Sequence, residues 1–253
     1  PAMAESLETL AFDGRIATLA LNRPDARNAL SLELIESIDR SLANVETRID
    51  ELSALVLTGT GRAFCAGMDL KAVLGDNALA HELLTRLGLL TLRLRKLPIV
   101  TIARVNGAAI GGGCGLACVC DLALTHAESK MGFPEVDLGV CPAVVAPWLV
   151  RKIGPGPARR VLLLGGVMSG AEAASIGIAN RATGTLPELD AAVAETAARI
   201  ASGGPRAIAA TKSLLNDLDG SIDEPLIRRA AALSASVLAT DEAQSRLRQK
   251  MGG

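Results

Sequence analysis

The stretch Val105-Asn106-Gly107-Ala108-Ala109-Ile110-Gly111-Gly112-Gly113-Cys114-Gly115 limits what this chain can fold into more than any other. Gly111, Gly112 and Gly113 are consecutive positions without a Cβ, and Gly115 adds a fourth, so the segment can take positive φ and let another molecule approach its amides. An apolar run, 99–105, precedes it and Leu116-Ala117-Cys118-Val119-Cys120 follows. The order reads as strand, glycine turn, helix, with free N–H groups of the helix start aimed at an anion or a developing oxyanion. The competing reading is a close-packed corner without chemistry. A dinucleotide fingerprint is excluded, because Leu116 and Cys118 stand where G-x-G-x-x-G needs glycine.

Composition narrows the field. The chain has 253 residues, 49% hydrophobic, enough for one large core. Lys+Arg 26 against Asp+Glu 27 gives a formal charge of -1 and no basic field for nucleic acid. Trp148 is the sole tryptophan and tyrosine is absent, which leaves no stacking platform for bases. Cys65, Cys114, Cys118, Cys120 and Cys141 are odd in number and lie in apolar surroundings, so reduced thiols are expected. Without a C-x-x-C pair, and with His81 and His126 the only histidines, a metal is not expected. No apolar run approaches the ~18 residues of a membrane span, and Glu5-Ser6-Leu7-Glu8 is acidic where a signal peptide is basic. A cytoplasmic location without membrane contact is the expectation.

In chain order, residues 7–12 and 16–21 flank Asp13-Gly14-Arg15 and predict a hairpin. Ser31 offers an N-cap to a helix on which Leu34, Ile35, Ile38, Leu42, Val45 and Ile49 recur at threes and fours. Residues 54–58 suit a buried parallel strand, 79–97 a helix ended by Pro98, 99–105 the next strand and 122–125 another. Such an order predicts an α/β coil of right-handed units. From Ala143 onward helices dominate: 144–153, 158–164, a short helix capped by Ser169 with Glu172, 189–200, 205–215, and 222–238 capped by Ser221 with Glu224.

Two loops stand out for chemistry, Cys65-Ala66-Gly67-Met68-Asp69 and Ile110-Gly111-Gly112-Gly113, each after a buried strand. On adjacent strands their amides can converge and polarise one carbonyl oxygen. These residues resemble the enoyl-CoA hydratase/isomerase (crotonase) superfamily. The likeness runs through Leu21-Asn22-Arg23-Pro24, Asn28-Ala29-Leu30, the segment from Gly61-Arg62-Ala63-Phe64-Cys65 to Leu70, Asn106-Gly107 with the glycine turn, Cys120-Asp121, and Phe133-Pro134-Glu135 through Leu138-Gly139. It covers nearly the whole chain. The resemblance implies a spiral core of ββα units over residues 3–185, a helical oligomerisation region over 186–253, and assembly as a homotrimer or dimer of trimers. It also implies an acyl-CoA thioester as substrate, with coenzyme A as part of that substrate and no separate cofactor.

By the same resemblance, the N–H groups of Met68 and Gly112 form an oxyanion hole. Ala66, Asp69 and Leu70 line the path of the CoA moiety with Ala29 and Gly111, Arg27 and Lys71 face its phosphates or else merely solvent, and Pro142 and Ala143 border the acyl group. The family's well-known hydratases carry two glutamates; here the first position is Gly115 and the second is Glu135. One carboxylate fits a proton shift from C2 to C4 of a 3-enoyl thioester most simply, whereas hydration in the two-carboxylate scheme asks one group to activate water and the other to help deliver a proton. The run from Pro134 to Val145 is similar to the methylglutaconyl-CoA hydratase-like branch, some of whose members also lack the first glutamate, so hydration stays open. Ala143-Val144-Val145 suggests a short acyl pocket. Asp137, if extended, shares a face with Glu135, while Asp69 and Asp121 read as structural acids. A catalytically silent CoA-binding or assembly module is the other class of function, motivated by the missing glutamate. No G-x-S-x-G is present for a triad hydrolase.

Overall fold

Strand β1 (Glu8–Asp13) alternates half-buried with exposed residues and β2 (Ile16–Leu21) alternates half-buried with buried ones, so both turn one face inward. They pair antiparallel around Gly14, whose φ of +52° makes the tight turn. The computed structural model describes residues 6–252, with side chains through residue 250. Residues 3–5 of the expected core, including Glu5 of the acidic start, and Gly253 of the expected helical region lie outside the described residues.

Ser31 caps α1 (Leu32–Thr47) by accepting from the Leu34 N–H, and Leu34, Ile35, Ile38, Leu42 and Val45 bury its inner face. From β3 (Ala54–Gly59) onward the chain repeats one plan. Each unit lays a strand in a large sheet, a three-residue strand in a small sheet, and returns through helix. The first unit is β3, β4 (Ala63–Cys65), α2 (Leu70–Val73) and α3 (Asn77–Lys96). The second is β5 (Val100–Val105), β6 (Ala108–Ile110) and α4 (Gly112–Val119); the third is β7 (Leu122–His126), β8 (Lys130–Gly132), α5 (Ala146–Ile153) and α6 (Pro155–Leu164). β9 (Val167–Ser169), α7 (Gly170–Ser175) and β10 (Arg181–Thr183) complete the spiral. The large sheet runs β1-β2-β3-β5-β7-β10 and the small one β4-β6-β8-β9, parallel throughout except for β1 with β2 and β8 with β9. This is the α/β coil expected from the sequence.

Four helices follow: α8 (Leu186–Ala201), α9 (Pro205–Leu218), α10 (Glu224–Leu238) and α11 (Asp241–Gly252). Alternation along β3 decides what α8 does. Ala54 and Val56, with Ile102 and Leu124, face α8 through Leu189, Ala192, Val193 and Ala197, while Leu55 and Leu57 enter the main core on the other side. Helix α10 lies along α3 so closely that a Cβ on Gly88 would stand 2.8 Å from Ile227 Cγ2. Among the described residues no helix is long and apolar enough to cross a membrane.

Several local expectations are corrected. The glycine turn does not follow the 99–105 strand directly, since β6 intervenes, and only Gly111 has a positive φ (+53°); Gly112 and Gly113 already belong to α4. Val136–Leu138 is a 3-10 turn, so Asp137 does not alternate with Glu135 on a strand. Instead Asp137 accepts the Gly166 N–H at 2.8 Å. Helix α10 is capped by Asp223, which accepts from the Leu226 N–H at 2.8 Å, rather than by Ser221. Pro225 explains the later start: within a helix begun earlier, its ring would meet the carbonyl of Ser221.

Candidate active site

Strands β4 and β6 are parallel neighbours, so the loops leaving their C-terminal ends open at the same edge of the small sheet. In the first loop the Leu30 N–H donates to Gly67 O at 2.8 Å and the Asp69 N–H donates to Leu30 O at 2.9 Å. Pairing on both sides of residue 68 directs the Met68 N–H the opposite way. Gly67 has a φ of +86°, and a Cβ there would lie 2.6 Å from Ile110 O and 3.4 Å from Gly112 N. Only glycine permits both the turn and the approach of the second loop. A Cβ on Gly113 would overlap Cys65 O, which shows how tightly α4 is seated on β4. Among the described residues neither the Met68 N–H nor the Gly112 N–H donates to a backbone carbonyl, as expected for Gly112 in the first turn of a helix.

Two buried asparagines hold this edge together. Asn28 donates to Thr60 O at 3.0 Å and Ala63 O at 2.8 Å while accepting from the Arg23 N–H; Asn106 donates to Gly61 O at 3.1 Å and accepts from the Gly59 N–H at 3.3 Å. The stretch between Gly59 of β3 and Ala63 of β4 is therefore held by these side chains in addition to the strand pairing at its ends.

Glu135 follows β8, and its carbonyl accepts from the N–H groups of Leu138 (3.0 Å) and Val140 (2.8 Å). Its carboxyl lies against Gly111, where a Cβ would stand 2.9 Å from Oε1; Oε2 is buried with no hydrogen-bond partner among the described residues. Burial pushes the acid up to about 7, with the Asp137 charge adding to the rise and a backbone hydrogen bond opposing it. A carboxyl poised there can both take and return a proton near neutrality.

Ala66, Met68, Leu70, Gly111, Gly112, Glu135 and Pro142 meet around a cavity of ≈ 90 Å³. Other expected residues stand off it. Asp69 pairs with Arg23 at 3.4 Å, and the Ala29 carbonyl accepts from the same guanidinium. Arg27 and Lys71 are exposed at the flanks of the 66–70 segment, and Ala143 faces a neighbouring groove. Val144 and Val145, read from the sequence as part of a short acyl pocket, line the cavity; sequence reasoning missed the rest of the apolar wall, Leu84 and Leu87 from α3 with Leu138 and Val140, and it missed Ser234 of α10. The leucines carried no signal beyond helical periodicity, and a serine in an alanine-rich helix carried none.

Gly115 differs in kind. A Cβ at this position would overlap Val145 Cγ1 and lie 3.0 Å from Val145 Cβ, so valine occupies the room a side chain at 115 would enter. Glu135 is accordingly the only carboxylate among the residues lining the cavity.

Comparison with known proteins gives this arrangement its relatives. The crotonyl-CoA hydratase of Syntrophomonas wolfei is 32% identical over 90% of this chain and 88% of its own, and the short-chain-enoyl-CoA hydratase of Clostridium acetobutylicum is 32% identical over 81% and 78%. A crystal structure of an enoyl-CoA hydratase from Mycobacterium avium superposes with a TM-score of 0.88 at 28% identity, covering 98% of this chain and 97% of that one. The enoyl-CoA hydratase/isomerase family model matches residues 11–247, which include both amide loops and Glu135, and with that match the chain belongs to the enoyl-CoA hydratase/isomerase family of enzymes.

Proposed function

We propose that the cavity takes the acyl end of a short or branched enoyl-CoA, with the thioester oxygen on the N–H groups of Met68 and Gly112. Glu135 removes a proton from C2 of a 3-enoyl thioester, the negative charge moves onto the oxygen held by the two amides, and the same carboxyl returns the proton at C4. The double bond thereby moves from C3 to C2 with no atom gained or lost. The observation that carries this reading is the solitary Glu135 carboxyl, together with Val145 filling the space beside Gly115. A small, branched apolar wall favours a short acyl group. In this reading Arg27 and Lys71, exposed beside the 66–70 segment, meet the CoA phosphates, while Ala29 and Asp69 support that segment. Coenzyme A enters as part of the substrate.

Hydration of a 2-enoyl-CoA is the second reading, favoured by the names of the two relatives above. We further propose assembly as a homotrimer or dimer of trimers through the 186–253 region, whose α9 leaves Leu214, Leu215 and Leu218 exposed. Absorbance at the conjugated enoyl-thioester band tests the chemistry. Isomerisation of 3-enoyl-CoA raises it and hydration of 2-enoyl-CoA lowers it. No change with either substrate, with CoA ester binding intact, identifies a silent module instead.

A further inference from the structure

The far wall of the cavity is a single residue thick. Cys141 and Pro142 line the cavity and also two grooves on the outer surface, one of ≈ 730 Å³ between α5 and α10 and one of ≈ 420 Å³ beside α6. The larger groove is mostly apolar, with Ala146 and Val150 from α5 opposite Leu226 and Leu233 from α10, and Arg151, Asp219 and Arg229 line it as well. Pro142 has no N–H, and its carbonyl is already taken by the N–H groups of Val145 (3.2 Å) and Ala146 (2.9 Å) at the start of α5, so α10 can hold the wall through the Cys141 carbonyl before it and the Ala143 N–H after it. One hydroxyl takes both. Ser234 Oγ donates to Cys141 O at 2.8 Å and accepts from the Ala143 N–H at 3.1 Å, and the residue is 1% exposed.

We propose that Ser234 is a positioning residue that sets the length limit of the acyl group, by clamping Pro142 as a partition between the cavity and the outer α5–α10 groove. This rests on the acyl-CoA reading above and goes beyond it by naming the device that restricts the substrate to short chains. With alanine at 234, α10 offers neither a donor nor an acceptor to the segment. The Cys141 carbonyl and the Ala143 N–H then turn to water in the groove, the Pro142 ring pivots about its carbonyl, which stays bonded to the start of α5, and the tail of a longer chain runs through the opening along the groove.

Binding of saturated butyryl-CoA and octanoyl-CoA, measured by calorimetry, reads this without needing turnover. Wild type is expected to prefer butyryl-CoA. Ser234→Ala should raise the octanoyl-to-butyryl affinity ratio by about tenfold or more, the scale on which a few methylenes are discriminated. Ser234→Thr, which keeps the hydroxyl, should retain the wild-type ratio. Pro142→Ala thins the partition directly and should shift the ratio in the same direction, which keeps the test alive if Ser234→Ala does not fold. A merely structural role for Ser234 would weaken both ligands alike. An unchanged ratio in Ser234→Ala, or in Pro142→Ala where Ser234→Ala does not fold, or a wild type that prefers octanoyl-CoA, overturns the clamp and leaves the acyl-CoA reading standing. A wild type that binds neither ester overturns both.

Discussion

Ionising Glu135 strips stability from the fold, because the charge has apolar surroundings and one oxygen without a partner. The rise from the ordinary carboxyl value of 4.5 to about 7 corresponds to about 3 kcal/mol. Below 4.5 the folded and unfolded chains both hold the proton, and the group contributes no difference. Between 4.5 and 7 the unfolded chain releases its proton first, so folding stability falls as pH rises, and above 7 the loss is complete. Glu135→Gln removes that dependence: denaturant titrations should show the variant gaining on wild type from pH 4.5 to pH 8. On the proposed mechanism the same ionisation makes the base, so wild-type kcat/KM should climb with pH and level off above about 7. In Glu135→Gln, kcat should drop by ~10²–10⁴-fold with KM little changed. Equal turnover in variant and wild type would move the base elsewhere. At position 115 the expectation is steric. Gly115→Glu alone should destabilise by ~1–3 kcal/mol through overpacking against Val145, without gain in hydration. Adding Val145→Gly should recover stability and raise hydration of 2-enoyl-CoA; a double variant no more stable than the single one would refute the role of Val145.

Among the elements, α4 is held at both ends. Its N-terminus fronts the cavity, and at its C-terminus the Lys152 ammonium donates to Cys120 O and Asp121 O, both at 3.1 Å, where a cation suits the helix dipole. Burial holds Lys152 below the ordinary lysine value. Beside it Lys212 reaches Asp121 Oδ2 at 2.7 Å and Ile99 O at 2.9 Å, tying α9 to the start of β5. Lys212→Ala should cost about 2 kcal/mol in chemical denaturation, less than the ~3–5 kcal/mol for breaking an isolated buried pair, because Arg95 still faces Asp121. Elements that long periods announce were legible in the sequence: the β1–β2 hairpin, α1 and the apolar run of β3. The small sheet was not, because β4, β6, β8 and β9 have three residues each and alternation cannot declare itself over so few. Helix α11 was missed because, among the described residues, Ala243 and Leu247 alone supply its buried apolar contact along a charged segment. The loop glycines around residues 67 and 111–113 leave local marks, but Met68, Gly112 and Glu135 are singled out by the likeness to the enoyl-CoA hydratase/isomerase family rather than by the residues alone. Ser234 acts through a fold contact 91 residues away from its nearest partner in the chain, and nothing local announces that.

At the scale of the molecule, Leu163, Leu164 and Val167 on one side and Leu214, Leu215 and Leu218 on another stay exposed in the isolated chain. Light scattering should return three or six times the 26.0 kDa chain mass, and a monomer at micromolar concentration would refute the assembly. The packing of α10 on α3 has a further consequence, in the order of manufacture. A ribosome releases Gly88 well before Ile227, and at about 5–20 residues per second the interval is on the order of ten seconds. For that time the groove of α3 that receives α10 has no cover from its own chain, and Leu84 and Leu87 border a cavity that still lacks a wall. On the acyl-CoA reading, binding competence therefore arrives with one of the last helices made, and a nascent chain stalled short of residue 224 is expected to offer a leucine-lined trough to chaperones rather than a pocket to substrate.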